Sequence, residues 1–399
     1  MHLPAALLIL ACMSAGAASG APRATSLNQD RPAASTAVTA AQVTAAVDRL
    51  GALEFPVRME AARTVRRAEA RIALPALLAA VAAHTDWYVR FRALVLLSGF
   101  NDPRTGQTMV KMLEERNDRL RAVAYAWFEH HPDPAVLPRL LNAVQREESE
   151  FVRPALTRAL AAYGADGRVR DVMVKLVMQG QDLFRAVVIE ALGEHRASYA
   201  LQPIVEVAKL EGPLQDDAVL AIGRIGDKRG LPILAALQQN APRQLQPSIA
   251  AAICLLGSNC PSHLNYLVET VKFARANPGH QVLLRAAAGG LAALATDGNR
   301  SAAAALFEQG VPARDPERAA IAIALGSVAL RNSALILEVL ESEPDLGGSV
   351  ELLRDAFDML DEDFEEERFF VGVRRAFWAA PEGSSRRKAA EVLIARLEF

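Results

Sequence analysis

Five pairs in which an apolar residue precedes an arginine decide the fold of this 399-residue chain. They are Val57-Arg58, Val89-Arg90, Leu120-Arg121, Val152-Arg153 and Phe184-Arg185. The successive arginines are separated by 32, 31, 32 and 32 residues. Self-similarity at a fixed period of this size is typical of stacked structural repeats. The sequence therefore predicts an array in which each repeat packs on its neighbours.

Each repeat carries an apolar stripe that starts at its pair. The positions four, seven and eight residues after the apolar member are nearly all apolar, as in Val89, Ala93, Leu96 and Leu97. This spacing places the side chains on one face of an α-helix. An acid precedes each stripe, and a second apolar run, such as residues 73–78, precedes the acid. Each unit is therefore predicted to be a helix, a short turn and a second helix.

These units resemble HEAT repeats, and their short period is similar to that of the HEAT-like repeats of phycobilisome lyases. The resemblance rests on a first helix that contains proline, such as Pro75 or Pro138, on the acid of the turn, and on the apolar-Arg-x-x-Ala start of the second helix. It covers nearly the whole chain after residue 40. It implies an all-α, right-handed solenoid of about ten antiparallel helix pairs. Because such solenoids have many roles, the resemblance indicates a fold rather than a function.

Composition divides the chain into three parts. Residues 1–20 hold a short apolar core at 4–11 followed by small residues, which predicts a signal peptide. Alternatively, residues 9–12 resemble a weak lipobox, with Cys12 as the lipidated residue of a bacterial lipoprotein. Residues 21–38 are predicted to be a flexible linker. The solenoid is predicted at 39–399, with clean repeats at 55–213, divergent repeats at 214–337 and charged C-terminal capping repeats at 338–399.

The recurring charges are predicted to join adjacent repeats rather than to bind a ligand. This ladder comprises Asp86, Arg90, Asp118, Arg121, Glu150, Arg153, Asp182 and Arg185. The formal net charge of the chain is only −2. The charge pattern therefore gives little support for a nucleic-acid partner.

Two groups of histidine and glutamate raise the hypothesis of a metal site. Glu129-His130-His131 and Glu194-His195 lie about two repeats apart. Deoxyhypusine hydroxylase is a HEAT-like enzyme that holds iron with His-Glu pairs, but the order of the residues is reversed here. His131 and His195 fall at predicted helix C-termini, where histidine can bond free carbonyls and interacts favourably with the helix dipole. The structural interpretation is preferred, so no metal ligand, catalytic residue or cofactor is predicted.

Two surfaces are candidates for binding a partner. The first consists of Trp87, Tyr88 and Phe91, which lie off or at the edge of the apolar stripe. The second belongs to the segment 338–367, which holds thirteen acids and a single base, and consists of Asp358, Glu362, Glu365 and Glu366. Crowded acids repel one another, and this repulsion is relieved either within the chain by the following Arg368, Arg374 and Arg375, which is the preferred interpretation, or by a basic partner.

Cys254 and Cys260 lie six residues apart across a predicted turn. They either form a disulfide, as an oxidising compartment would favour, or remain separate thiols.

The predicted function is a non-catalytic scaffold or adaptor that presents its inner row of second helices to another protein. The alternatives are a lyase or chaperone for a bilin-like cofactor, and a HEAT-like protein that binds nucleic acid. The predicted location is the periplasm or the cell envelope of a bacterium. No transmembrane segment is predicted, so membrane anchoring would require lipidation of Cys12.

Overall fold

The computed structural model describes residues 37–360 and 362–399. The predicted signal peptide, and the linker up to residue 36, lie outside this range. The described residues form α-helices joined by short turns, and the predicted all-α solenoid is confirmed. The helices are α1 (Ala40–Arg49), α2 (Phe55–Arg67), α3 (Ala70–Ala83), α4 (Trp87–Ser98), α5 (Pro103–Met112), α6 (Asp118–His130), α7 (Leu137–Ala143), α8 (Arg153–Ala161), α9 (Gly167–Met178), α10 (Asp182–Glu194), α11 (Leu201–Ala208), α12 (Gln215–Ile225), α13 (Gly230–Asn240), α14 (Gln246–Leu255), α15 (Cys260–Ala276), α16 (Gln281–Thr296), α17 (Arg300–Gly310), α18 (Glu317–Arg331), α19 (Ser333–Leu340), α20 (Leu346–Leu360), α21 (Asp363–Ala379) and α22 (Ser385–Arg396).

The helices form two rows. From α2 to α20, each even-numbered helix contacts the next even-numbered helix, so the second helices of the repeats make one continuous inner row. Up to α18, each odd-numbered helix packs against the second helix of its own repeat. The regular pairing then stops, because α19 contacts α18, α21 and α22.

The apolar stripes pack between the helices as their spacing predicts. Val89, Ala93, Leu96 and Leu97 of α4 are all buried. Small residues allow neighbouring second helices to approach closely. A Cβ on Gly223 of α12 would lie only 2.6 Å from the Cα of Ala252 on α14. Glycine is therefore needed at this point because the two backbones leave no room for a side chain.

Two of the repeat arginines, Arg90 and Arg121, form ion pairs with the neighbouring unit, but through other acids than those predicted. Arg90 bonds Glu115 at 2.5 Å and the carbonyl of Val81 at 3.0 Å. Arg121 bonds Glu147 at 2.9 and 3.0 Å and also Asp118 at 2.9 Å. The acids that reach across repeats thus lie in the turn just after the first helix. Asp118 pairs within its own turn because a residue three positions away on a helix is the nearer neighbour.

The other members of the predicted ladder have different contacts. Asp86 caps α4 by accepting a bond from the backbone N–H of Tyr88. Asp182 pairs with Arg185 three residues later, and Arg185 also donates to the carbonyl of Val177. The remaining two members of the predicted ladder form no acid–arginine pair within the described part of the chain. Arg153 stacks over Phe184 at 4.1 Å, and Glu150 is exposed.

Helix α21, the last but one of the chain, joins the two ends of the solenoid. It contacts α18 and α19 near its own end of the chain, and it also contacts α4. Its Phe364 belongs to the hydrophobic core of the N-terminal repeats, whereas Phe369 and Phe370 belong to the core of the C-terminal repeats. The helix therefore spans the hollow of the solenoid and closes it. The inner row, which was expected to face a partner, is in part covered by this helix.

A short connection near the middle of the chain is cross-linked. Cys254 at the end of α14 and Cys260 at the start of α15 form a disulfide. No single helix of the described residues is long and apolar enough to cross a membrane. Glu317–Arg331 and Ser333–Leu340 reach that length and composition only when taken together, and they are bent by 116°.

Candidate functional site

The aromatic residues of α4 do not form one exposed patch. Trp87 is exposed and Tyr88 is half-buried, but Phe91 is buried. Phe91 lines the same small cavity as Phe364 of α21. The prediction that Phe91 lies at a binding surface does not match the structure, because a helix distant in sequence covers this side of α4.

The predicted acidic docking face turns mostly inward. Glu365 lies 3.0 Å from the ring of His130 and also pairs with Arg368. Glu362 and Glu366 are half-buried, and of the four predicted acids only Asp358 is exposed. The charge of this segment is thus met largely by basic residues of the chain itself. The sequence anticipated the role of Arg368 but not that of His130, which is 235 residues away from Glu365.

A buried group of three charges fixes α21 to the first repeats. The carboxylate of Glu367 lies 2.7 Å from Arg66 on α2 and 3.1 Å from Arg374 on α21. The side chains of Arg66 and Glu367 are only 4% and 1% exposed. Gly99 follows α4 directly, and a Cβ there would lie 2.8 Å from Glu367. The glycine therefore lets α21 approach the end of α4.

One further ion pair and one cation–π interaction support the contact between α21 and the N-terminal repeats. Asp363, the first residue of α21, pairs with Arg92 on α4. The guanidinium of Arg66 also lies 5.0 Å above the ring of Phe370. The acids in the first turn of α21 suit the positive end of the helix dipole, and two of them, Asp363 and Glu365, contact Arg92 and His130 of the N-terminal repeats.

Behind α21 lies a polar cavity of about 360 Å³. It is half open to solvent and is bordered by the ends of α6 and α10, by α8 and α12, by α16 and α18, and by α21. Its charged lining is balanced in sign and comprises Glu129, His130, Arg158, Glu194, His195, Arg196, Arg224, Asp297, Arg331, Glu362, Glu365 and Arg368. This concentration of charge in one half-open cavity makes the cavity the candidate functional site.

Ion pairs across the cavity tie opposite repeats together. Arg331 at the end of α18 pairs with Glu194 on α10, and it lies 3.4 Å from Glu190. Although burial opposes it, Arg331, Arg158 and Arg224 lower the pKa of Glu190. Glu190 therefore carries a negative charge in the closed solenoid.

The carboxylates on α21 differ from one another in protonation. Burial raises the pKa of Glu362 above its ordinary value. For Glu365, the opposing effect of burial is overcome by the hydrogen bond from His130 and the charge of Arg368, which bring its pKa to about 2. Two acids three residues apart on one helix thus face different environments.

The raised pKa of Asp217 on α12 leads us to expect that the stability of the chain depends on pH. Burial, followed by the charges of Glu190 and Asp216, raises the pKa of Asp217 to about 6, and the nearby Arg224 only partly offsets this. The folded chain binds the proton of the Asp217 carboxyl more tightly than the unfolded chain does. The resulting contribution to the free energy of unfolding is therefore complete below pH 3.8 and is lost as the pH rises towards 6. We expect Asp217→Asn to increase the free energy of unfolding by about 1–3 kcal/mol at pH 7 and by much less at pH 4. Urea denaturation at the two pH values measures this difference, and an equal effect at both would contradict it.

The histidines at the helix ends have separate roles. His131 stacks on Trp127 with ring centroids 3.6 Å apart, and its Nδ1 lies 3.1 Å from the carbonyl of Trp127. This position agrees with the predicted cap. His195 follows α10, but its Nε2 faces Glu129 on α6 at 3.6 Å. Glu129, His130 and Glu365 offer ligand atoms that all lie within 4.8 Å of one another.

The sequence pattern had paired the wrong groups at this site. It considered Glu129 with His130 and Glu194 with His195, whereas the structure brings Glu129 and His130 together with His195 and Glu365. No local signal marks Glu365, because it lies in an acidic run of the last repeats. Only the crossing of α21 brings it to this position.

Comparison with known proteins bears on the repeats. Residues 43–127 match the family model of HEAT repeats, which confirms the predicted resemblance for this part of the chain. No curated protein matches the sequence.

Two solved structures are also similar to this chain. YibA of E. coli is 18% identical with a TM-score of 0.40, over 54% of this chain and 81% of that chain. The complex of CpcE and CpcF of phycocyanin lyase from Nostoc sp. PCC7120 is 17% identical with a TM-score of 0.40, over 65% of this chain and 97% of that chain. At these values neither likeness assigns a function.

Proposed function

We propose that this HEAT-repeat chain is a non-catalytic scaffold that binds another protein in the bacterial envelope. The observation that carries the proposal is a row of exposed apolar residues at the turns of four of the first five repeats. We name these four the rim residues: Phe55, Trp87, Phe151 and Leu183. Each is about half exposed or more. Each lies at or just before the start of a second helix, namely α2, α4, α8 and α10.

The stacking of the second helices places the rim residues along one edge. Helices α2, α4, α6, α8 and α10 contact one another in order, so their first turns lie side by side. With about 8–10 Å between the axes of packed helices, this edge is roughly 30–40 Å long. That length suits a protein partner better than a small molecule.

Arginines beside the rim residues add to the capacity of this edge to bind a protein. Arg119 takes the equivalent position on α6 and stacks over Phe151 at 4.7 Å. Arg58 lies 5.6 Å from the ring of Phe55. Exposed aromatic residues and arginines are enriched among the residues that contribute most to protein interfaces. The rim is therefore a better docking surface than the inner row, which α21 occupies in part.

Two features support a location in the envelope. The apolar segment 4–11 followed by small residues is typical of an export signal. The disulfide between Cys254 and Cys260 suits an oxidising compartment. We propose export on these grounds, with signal cleavage near Ala21 or lipidation of Cys12 as the two routes.

Capture from separate envelope and cytoplasmic fractions tests the proposal. The chain with all four rim residues changed to serine is compared with the unaltered chain, using chemical cross-linking and mass spectrometry. We expect the unaltered chain to retain a specific envelope protein, and the rim variant to retain at least about tenfold less, because interface anchors often contribute 2 kcal/mol or more. Circular dichroism shows whether the rim variant is folded.

A control variant changes exposed aromatic residues elsewhere. Tyr266 and Phe273 on α15 and Trp378 on α21 are partly exposed and lie outside the rim residues. Their replacement by serine is expected to leave capture unchanged. Equal capture by the rim variant and the unaltered chain would overturn the proposed surface, and a partner found only in the cytoplasmic fraction would overturn the location.

A further inference from the structure

We propose that Glu129, His130, His195 and Glu365 bind one divalent transition-metal ion inside the closed solenoid. The four side chains come from three places that are far apart in sequence. Glu129 and His130 end α6, His195 follows α10, and Glu365 lies in the first turn of α21. All four line the polar cavity. The proposal is independent of the rim residues and of any partner protein.

One separation between donor atoms already matches that of a metal site, and a second is close to it. The Nε2 of His130 lies 3.0 Å from Oε1 of Glu365, and the Nε2 of His195 lies 3.6 Å from Oε1 of Glu129. Metal–nitrogen and metal–oxygen distances of about 2.1 Å place neighbouring ligands of one ion roughly 3.0–3.5 Å apart. Glu129, His130 and Glu365 offer donor atoms that lie within 4.8 Å of one another, so a common ion would draw these three donors together by up to about 1 Å. His195 adjoins this group through its contact with Glu129.

An ordinary ion pair accounts for only part of this cluster. The contact between His130 and Glu365 is complete without a metal ion. His195 is different, because its Nε2 is buried and has no hydrogen-bond partner among the described residues. Burying an imidazole nitrogen without a partner costs free energy. A metal ion between His195 and Glu129 would remove that cost.

The surroundings hold the donors in place and balance the charge. The two oxygens of Glu365 have separate neighbours, since Oε1 faces His130 and Oε2 pairs with Arg368. Outer hydrogen bonds of this kind orient the ligands of metal sites. The carboxylates of Glu129 and Glu365 together neutralise a dication. The other arginines of the cavity are matched by Glu190, Glu194, Asp297 and Glu362.

The type of ligand indicates the class of ion. Imidazole nitrogen favours zinc, iron, nickel and copper, whereas carboxylate oxygen also accepts manganese. Calcium and magnesium prefer sites made of oxygen ligands alone. Two nitrogens with two oxygens therefore suit zinc or manganese better than calcium. Because the ligands come from α6, α10 and α21, the bound ion would also hold the solenoid closed.

Calorimetric titration of the full chain, purified without a histidine tag and stripped with a chelator, tests the proposal. Zinc chloride, manganese chloride and calcium chloride are the probes. We expect one zinc or manganese ion per chain, weaker binding of calcium, and a higher melting temperature with the bound ion. The visible spectrum of the cobalt(II)-loaded chain supplies a second readout of the ligands.

Matched variants identify the ligands. Glu129→Gln and His195→Ala change residues that lie outside the ion pairs holding α21, so the solenoid should stay folded. Each is expected to weaken binding at least about tenfold and to alter the cobalt spectrum. His131→Ala is the control, because this histidine adjoins His130 but stacks on Trp127. Stoichiometric binding that survives both ligand changes, or binding of neither zinc nor manganese, would overturn the proposal.

Discussion

Replacing Glu367 with alanine is expected to lower the free energy of unfolding by about 3–5 kcal/mol, since removing one partner of a buried ion pair leaves a charge without compensation. Here the carboxylate serves two cations, because Arg66 lies 2.7 Å away and Arg374 lies 3.1 Å away. Both guanidinium groups would remain beside α21 without their counterion. Urea denaturation followed by circular dichroism measures the loss.

Glu382 provides a comparison in the same part of the chain. Its side chain is 92% exposed and lies 4.0 Å from Arg387. We expect Glu382→Ala to change the free energy of unfolding by less than about 0.5 kcal/mol, as is usual for surface substitutions. If both variants had the same small effect, the buried position of Glu367 would be wrong.

Replacing Phe364 with alanine is expected to lower the free energy of unfolding by about 3–5 kcal/mol through loss of buried apolar surface and the cavity that remains. Phe364 is the residue of α21 that enters the core of the N-terminal repeats. The change should also increase hydrogen exchange in α4, α6 and α21, because these helices share its contacts. Denaturation and exchange measured by mass spectrometry test both expectations.

Trp378 is the matched aromatic residue, since it lies on the same helix but is 75% exposed. Trp378→Ala is expected to leave stability and hydrogen exchange nearly unchanged. An equal loss of stability in the two variants would show that the closure does not depend on the anchoring of Phe364. A larger loss in Phe364→Ala, with faster exchange confined to the contacts of α21, is the expected pattern.

Glu367 and Phe364 together show how the solenoid is closed. An open array of repeats has contacts only between neighbours, and its stability grows with the number of repeats. In this chain α21 adds a charged group and an apolar anchor that join the last repeats to the first. The closure forms the polar cavity and leaves the rim residues exposed as an apolar surface. The proposed metal site and the proposed partner surface therefore occupy different parts of the molecule.

The sequence also suggested several residues whose environment the structure changes. Trp87 is exposed as predicted, but its neighbour Phe91 is buried under α21. Glu365 was interpreted as part of a docking face and instead lies beside His130. Each residue was assigned from its own helix, and a helix that returns from the other end of the chain leaves no trace in that local pattern.

The repeat architecture, by contrast, was determined by the sequence alone. A period of about 32 residues, an apolar stripe with helical spacing and an acid before each stripe are local features, and they specify helix pairs that stack on their neighbours. Closure depends on contacts such as Arg66 with Glu367, which are 301 residues apart. A small rotation accumulated from repeat to repeat decides whether such residues meet. Only the tertiary structure fixes the total rotation over all the repeats. It therefore also fixes the cavity in which Glu129, His130, His195 and Glu365 come together.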